Sequence, residues 1–351
     1  MTLQATASNY LNAGFALTGT STPVGRFYPD HFALTSVSLI AACPGVFSYM
    51  DQNAMSLAYA VQAQGKNNGL IANYSATLSY SPLATVSLVA ENNNAGVNLG
   101  ARFDNLALGA WANGQFLVNA TKVGSFARFA RAASPDGPYD ALAIGVKTVD
   151  AADGVNLTAR DMNAATTGSC ATGSTCDARQ LGGVSTTTRV RYGRLWLQNA
   201  NGSELLGLPV PMETQYYNGN GFLTNTLDSC TAITAANIGL GNYQSNLAAG
   251  QTTATLSANT FAAGKTTLKL SAPGAARNGS VSVVANVGTT TTIDNNTTCL
   301  TWSPALAPTA AALPWLAGQW CGASANKAPT ARATFGTYRS TNKFIFQREN
   351  Y

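Results

Sequence analysis

Apolar and polar residues alternate with a period of two along several stretches of the chain. The clearest stretches have the length of single β-strands and run over 32–40, 55–63, 86–90, 139–149 and 266–270. Turn residues such as glycine, asparagine and proline recur about every 8–12 residues, and no helical period is sustained. The pattern therefore predicts an all-β protein with the antiparallel strands of a β-sandwich.

Shorter or less regular alternation predicts further strands. They are expected at 74–80, within 116–129, at 280–287, and in a final hairpin formed by 333–338 and 343–349. By contrast, the segment 232–262 is rich in alanine, threonine and asparagine and has no clear period.

The most strongly patterned segment is 189–217, which predicts a β-hairpin. Val190, Tyr192 and Trp196 fall on one face of its first arm, and apolar residues also occur on the other face. Asn201 and Gly202 are the residue types that a tight turn with two positive φ angles needs. The first arm of this hairpin is therefore expected to be at least half buried.

The length of 351 residues suits two β-domains better than one. The glycine-, serine- and threonine-rich stretch 168–188 carries two cysteines and is a natural boundary. We expect a linker or edge strand at 1–24, a first β-sandwich domain at 25–167 and a second β-domain at 168–351.

Charge is scarce, because only 10% of the residues are charged, against about 25% in an ordinary soluble protein. This composition is typical of secreted and surface β-proteins. The net charge of +5 is not concentrated in a basic stripe, so no nucleic-acid partner is expected. No apolar run reaches about 18 residues, so no membrane span is expected either.

The six cysteines indicate disulfides formed in an oxidising compartment. Six cysteines allow fifteen connectivities, among which the sequence does not choose. The pairing we favour joins Cys170 to Cys176, Cys299 to Cys321, and Cys43 to Cys230, the last of which would tie the two halves together. Since no signal peptide is visible, export implies that the chain is the C-terminal part of a longer precursor.

Two groups of residues are weak candidates for binding. Trp111, Trp315 and Trp320 lie near turns, where exposed indoles could stack on sugar rings, although buried tryptophans are equally common in sandwiches. Asp150 and Asp153 offer oxygen ligands for a calcium ion, although metal-free turns of this composition are commoner. No other cofactor is expected.

No combination of residues predicts catalysis. The two matches to Ser-x-x-Lys lack their companion motifs, and the chain has no Gly-x-Ser-x-Gly. The single histidine, His31, is interpreted as part of a structural turn, because Asp30 should point to the opposite side of an extended chain. We therefore expect a protein that is not an enzyme.

Six ordered blocks of sequence resemble a known family, the C-terminal domain of MshQ, a biogenesis protein associated with the mannose-sensitive haemagglutinin (MSHA) type IV pilus of Gram-negative bacteria. The similarity runs from about residue 20 to the end. The blocks are Gly25-Arg-Phe-Tyr-Pro-Asp-His-Phe32, Cys43-Pro-Gly-Val-Phe-Ser-Tyr-Met50, Asp136-Gly-Pro-Tyr-Asp140, Arg191-Tyr-Gly-Arg-Leu195, Asp228-Ser-Cys-Thr231, and Ala331-Arg-Ala-Thr-Phe-Gly-Thr-Tyr-Arg339 followed by Phe346-Gln-Arg-Glu349.

The resemblance implies a pilus or cell-surface setting and supplies no catalytic residues, because this region of the family is a domain of unknown function. It leads to a first hypothesis, a non-enzymatic surface module in pilus biogenesis, tip assembly or adhesion, with pilins or minor pilins as partners. A second hypothesis is a carbohydrate-binding or carbohydrate-active domain. A third is an assembly unit that adds strands to pilins edge to edge.

Overall fold

The computed structural model describes residues 2–22, 25, 27–78, 82–104, 108–121, 126–171, 175–182 and 186–336. The described chain is all-β, as the alternation predicted, and contains no α-helix in these ranges. Five short 3-10 helices lie at Tyr10–Asn12, Ala76–Leu78, Gly100–Arg102, Ala235–Asn237 and Pro314–Leu316. The predicted final strand at 343–349 and the turn before it lie outside the described residues.

The described residues before 192 form thirteen strands, and one four-stranded and one five-stranded sheet account for most of them. The strands are β1 (Gln4–Ala7), β2 (Leu17–Thr20), β3 (His31–Ile40), β4 (Ser48–Tyr49), β5 (Ser56–Gln64), β6 (Thr85–Asn92), β7 (Phe103–Asp104), β8 (Leu108–Ala112), β9 (Gln115–Ala120), β10 (Arg128–Phe129), β11 (Tyr139–Val149), β12 (Ala178–Gln180) and β13 (Thr187–Arg191).

One sheet has the order β3-β5-β9-β8 and is antiparallel throughout. In the other sheet β11 is central, with β6 on one edge and both β12 and β13 on the opposite edge. Alternating residues of the two sheets meet in one core that includes Leu57, Val61 and Ile144. The strand pairs β1–β2 and β7–β10 lie outside these sheets.

Nine strands lie between residues 193 and 336, where the description of the chain ends. They are β14 (Gly193–Leu197), β15 (Ala200–Gly202), β16 (Leu208–Tyr217), β17 (Phe222–Thr224), β18 (Ile238–Ser245), β19 (Ala254–Leu256), β20 (Lys265–Leu270), β21 (Gly279–Ala285) and β22 (Thr330–Phe335). They form a sheet of order β14-β16-β20-β19, with β17 also on β16, and a sheet of order β15-β22-β21-β18. A second core, which includes Val210, Leu268 and Val283, fills the space between them.

The change from one core to the other takes place within a single extended segment. Val190 and Tyr192 are buried in the first core, whereas Leu195 and Leu197 are buried in the second. The disulfide loop at 170–176 and the strands β12 and β13 belong to the first sheet system. The structure therefore moves the boundary between the domains from the expected residue 168 to residues 192–193.

Two local predictions were wrong. Asn201 and Gly202 do not form a tight turn, because both lie in β15 and pair in parallel with β22. The hairpin partner of β14 is β16, which the chain reaches only after crossing to the other sheet. In the described part of the predicted strand at 74–80, Ala76–Leu78 forms a 3-10 turn and Leu78 is exposed.

Three disulfides join all six cysteines, and they coincide with the favoured pairs: Cys43–Cys230, Cys170–Cys176 and Cys299–Cys321. The first spans 187 residues and links the two domains. The other two close loops of 6 and 22 residues. Such bridges are typical of proteins in an oxidising compartment.

Candidate functional site

The most elaborate side-chain arrangement lies at the junction of the two domains. The segment 41–49 leaves the first domain after β3 and inserts Cys43, Phe47 and Tyr49 into the second core. In return, Tyr217 and Phe222 of the second domain pack against the first core. Because each domain completes the core of the other, the junction is a shared core and not a flexible linker.

A buried polar network surrounds Tyr49. Its hydroxyl donates to the carboxylate of Asp228 at 2.8 Å and accepts a hydrogen bond from the amide of Asn225 at 2.8 Å. Asn225 in turn accepts from Arg191, whose guanidinium also forms a two-pronged ion pair with Asp140. Burial, followed by the negative charge of Asp228, raises the pKa of Tyr49 well above its ordinary value. Tyr49 therefore stays protonated and acts as a fixed hydrogen-bond donor.

Arg131 is a second buried group that crosses the junction. Its guanidinium donates to the backbone carbonyls of Gly193, Trp315, Ala317 and Ala325. It also stacks on the ring of Tyr192, 4.2 Å from the ring centroid. Burial lowers the pKa of Arg131. Carbonyl oxygens, and not a carboxylate, accept the hydrogen bonds of this buried cation, so its geometry depends on the second domain being docked.

Close packing where the chain passes from the first core to the second explains why residue 193 is a glycine. A Cβ atom at Gly193 would lie 2.4 Å from the ring carbon Cδ1 of Tyr49, much closer than van der Waals contact allows. The backbone of β14 can approach the inserted loop only because residue 193 has no side chain.

Four of the six family-like sequence blocks meet at this junction. Cys43–Met50 supplies the bridge and Tyr49, and 136–140 supplies Asp140. The block 191–195 supplies Arg191 and Gly193, and 228–231 supplies the carboxylate that binds Tyr49. These blocks therefore hold the two domains together. The sequence did not reveal this role, since the blocks are up to 187 residues apart.

The three predicted ligand-binding tryptophans have different environments. Trp111 is only 3% exposed, and its indole donates to the carbonyl of Ala84 at 2.7 Å, so it is a core residue and not a binding residue. Trp315 is half buried against the second core, and its carbonyl binds Arg131. The indole N–H of Trp315 is also buried.

Trp320 does line a cleft, together with Trp196. The cleft has a volume of about 400 Å³. Both indoles are partly exposed there. Trp196 was not predicted as a site residue, although its place on the strand face opposite Leu195 and Leu197 is a signal of partial exposure.

Asp150 and Asp153 occupy one turn after β11. One carboxylate oxygen of Asp150 accepts the backbone N–H groups of Ala152 and Asp153, both at 3.1 Å, which is how an aspartate commonly closes a turn. Within the described ranges, no group of three or more acidic, histidine or cysteine side chains could hold a metal ion. The calcium site at these two residues stays a prediction.

His31 has two side-chain neighbours. Nδ1 lies 2.9 Å from a carboxylate oxygen of Asp30, and Nε2 lies 3.0 Å from the amide oxygen of Gln64 on β5. The expectation that Asp30 points away was wrong, because the chain bends just before β3. Both ring nitrogens are used in contacts within the first domain.

In the part of the chain that the structure describes, no helix is long and apolar enough to cross a membrane. No curated protein matches the sequence. Among solved structures, the chain is similar to the Yersinia pseudotuberculosis adhesin InvE, with 11% sequence identity and a TM-score of 0.27, over 86% of this chain and 59% of that chain.

Two family models together match most of the sequence. One, described as DUF6701, third domain, matches residues 1–177, and the other, described as DUF6701, fourth domain, matches residues 191–350. The gap between them, 178–190, contains β12 and all of β13 except its last residue, and it ends next to the point where the chain changes cores. The chain therefore belongs to the DUF6701 family and carries its third and fourth domains.

Proposed function

We propose that this region is a non-enzymatic, load-bearing module of an exported surface protein, working at an MSHA-like type IV pilus in biogenesis, tip assembly or adhesion. The observation that carries the proposal is the junction, where one covalent bridge, one inserted loop and one buried arginine join the two domains. Surface fibres and their accessory proteins work under tension, and a junction of this kind resists separation of its domains.

The position of the bridge supports a mechanical role. Tension applied between a point before Cys43 and a point after Cys230 passes through their disulfide and bypasses residues 44–229. Almost the whole first domain is then shielded from extension, apart from its first strands. A domain that keeps its fold under load can keep a binding surface intact.

The arrangement of acidic groups supports a role without catalysis. The cleft beside β3 and β13 includes one carboxylate, that of Asp140. That carboxylate is paired with Arg191 at 2.9 Å. A hydrolase that cleaves glycosides usually needs two carboxylates flanking a cleft.

Capture experiments with pilus components test the proposal. The oxidised chain, immobilised, would be exposed to purified pili and to individual minor pilins, with the reduced and alkylated chain as the matched control. Saturable capture by the oxidised chain is the expected result. Absence of capture from every pilus fraction, with the chain folded and oxidised, would overturn the pilus assignment.

A further inference from the structure

We propose that the cleft between Trp196 and Trp320 binds a neutral saccharide. This site goes beyond the load-bearing role and does not depend on the pilus assignment. If both proposals hold, the second domain carries the ligand contact and the junction carries the load.

The cleft lies at the seam between the two sheets of the second domain. The end of β14 supplies Trp196, and the chain beyond it supplies Gln198 and Asn199 before crossing to the other sheet. The start of β22 supplies Thr330, and the loop closed by the Cys299–Cys321 bridge supplies Trp320. Among the described strands β14 and β22 do not pair with each other, and Gln198 and Asn199 at this seam are exposed.

Trp320 is held in position before any ligand arrives. The guanidinium of Arg194 lies 4.5 Å from the centroid of the Trp320 ring and 3.8 Å from that of Phe222, so it is packed between the two rings. Arg194 also donates from Nε to the amide oxygen of Gln215 at 2.9 Å. Burial lowers the pKa of Arg194 to about 10, which leaves it charged at neutral pH. A fixed indole loses little conformational entropy on binding.

The exposed part of Trp320 is carbon. Its indole N–H is buried and has no hydrogen-bond partner among the described residues. Gly318 allows this arrangement, since a Cβ there would lie 2.7 Å from the indole nitrogen. The surface offered to a ligand is therefore aromatic carbon, which suits the C–H faces of a pyranose ring.

The polar groups of the cleft are neutral and available. Asn199 uses its side-chain oxygen to accept the backbone N–H of Arg332 at 2.8 Å, which leaves its NH₂ group for a ligand. The side chains of Gln198 and Thr330 form no hydrogen bond with another described residue. No ionisable side chain of the described chain lines the cleft. Amides and a hydroxyl can both donate to and accept from sugar hydroxyls, and the guanidinium of Arg194 beside Trp320 is engaged by Gln215 and two aromatic rings.

The volume is consistent with a small ligand. About 400 Å³ lies within the range of roughly 300–1,000 Å³ that is usual for small-molecule pockets. The two indoles can contact the carbon face of a sugar ring, and the three polar side chains can bond its hydroxyl groups and set its orientation. We therefore assign the cleft to one or two sugar units of a neutral glycan.

The test uses the whole oxidised chain on an array of neutral, sialylated and sulfated glycans, followed by titration of the best ligand with intrinsic tryptophan fluorescence. Three variants are compared, Trp196→Ala, Gln198→Ala and the control Tyr28→Ala. Tyr28 is 57% exposed and lies in the first domain, away from the cleft. Melting temperatures identify any variant that fails to fold.

Saturable binding of neutral glycans is expected. Trp196→Ala should weaken it at least tenfold, which corresponds to about 1.4 kcal/mol. Gln198→Ala should weaken it a few-fold without changing the melting temperature, and Tyr28→Ala should have no effect.

Absence of saturable binding to any neutral glycan would overturn the assignment. So would binding that survives both cleft substitutions, or binding restricted to acidic glycans. Pilus capture by Trp196→Ala keeps the two proposals separate, because a load-bearing module should still be captured when the cleft is inactive.

Discussion

Loss of the Cys43–Cys230 bridge should expose the first domain to mechanical extension. In the oxidised chain the bridge joins the inserted loop to the second domain and carries tension past residues 44–229. With both cysteines replaced by alanine, the same tension passes through the backbone of the first domain. Its strands should then unfold as additional events in a force–extension record.

The size of the effect follows from the spacing of the cysteines. The Cys43–Cys230 bridge spans 187 residues, and the Cys170–Cys176 bridge inside that span still closes 6. Subtraction of 6 from 187 leaves 181 residues that the double variant releases. An extended chain covers about 3.3–3.6 Å per residue, so the final contour length should increase by roughly 600–650 Å.

Single-molecule pulling with handles at the two ends measures this length directly. The double variant Cys170→Ala/Cys176→Ala is the matched control, because each of the two bridges has one buried cysteine. It should leave the final length unchanged, since its loop lies inside the shielded span. An oxidised wild-type chain that reaches the same final length as Cys43→Ala/Cys230→Ala would refute the reasoning.

Three further substitutions test the packing. Arg131→Lys should lower the free energy of unfolding in urea by roughly 2–4 kcal/mol, because an ammonium cannot reach the carbonyls that the guanidinium binds. The same change at the more exposed Arg128 should cost less than about 1 kcal/mol. Tyr59→Phe should be neutral or stabilising by up to about 1–2 kcal/mol at pH 7, since its buried hydroxyl has no hydrogen-bond partner among the described residues. Burial raises the pKa of Tyr59 above its value in the unfolded chain. The free energy of unfolding is therefore unaffected by this group below about pH 10, and falls by about 1.4 kcal/mol per pH unit above it, because the unfolded chain ionises first. The phenylalanine variant should lack that part of the alkaline decline in stability. Gly193→Ala should cost roughly 1–3 kcal/mol, because its Cβ would overlap a buried ring, whereas Gly221→Ala, with open space around it, should cost less.

Each of these expectations has a contrary result. Equal losses for the two arginine variants would show that the junction contacts add nothing to stability. Identical alkaline slopes for wild type and the tyrosine variant would show that this hydroxyl ionises as freely in the folded protein as in the unfolded chain. Equal melting temperatures for the two glycine variants would remove the packing argument at residue 193.

Regular alternation located the strands that have one face in a core. The predicted range 139–149 coincides with β11, and 55–63 differs from β5 by one residue at each end. Period-two alternation is a local property, so it survives whatever partner the strand finds. The strands β18 and β19 were missed, because glycine, asparagine and threonine obscure their period and pairing with β21 and β20 defines them.

The candidate site was only partly predictable. Trp320 was expected to contact ligands and does line a cleft, whereas Trp111 was expected to do so and is buried. Both tryptophans lie near turns in the sequence, and only the arrangement of the sheets separates an indole in the core from one at the seam. Trp196 was missed because its partner across the cleft is 124 positions away, by subtraction of 196 from 320.

The sequence alone determined the all-β class, the positions of the regular strands and the oxidising setting. These depend on the period of the apolar residues, on the scarcity of charge and on the even number of cysteines, all of which are local or compositional. The tertiary structure decided the rest. The exchange of Tyr49 and Phe222 between the cores, the buried position of Arg131 and the open seam beside Trp196 arise from contacts between residues far apart in the chain. No local pattern encodes which distant backbone a side chain will meet.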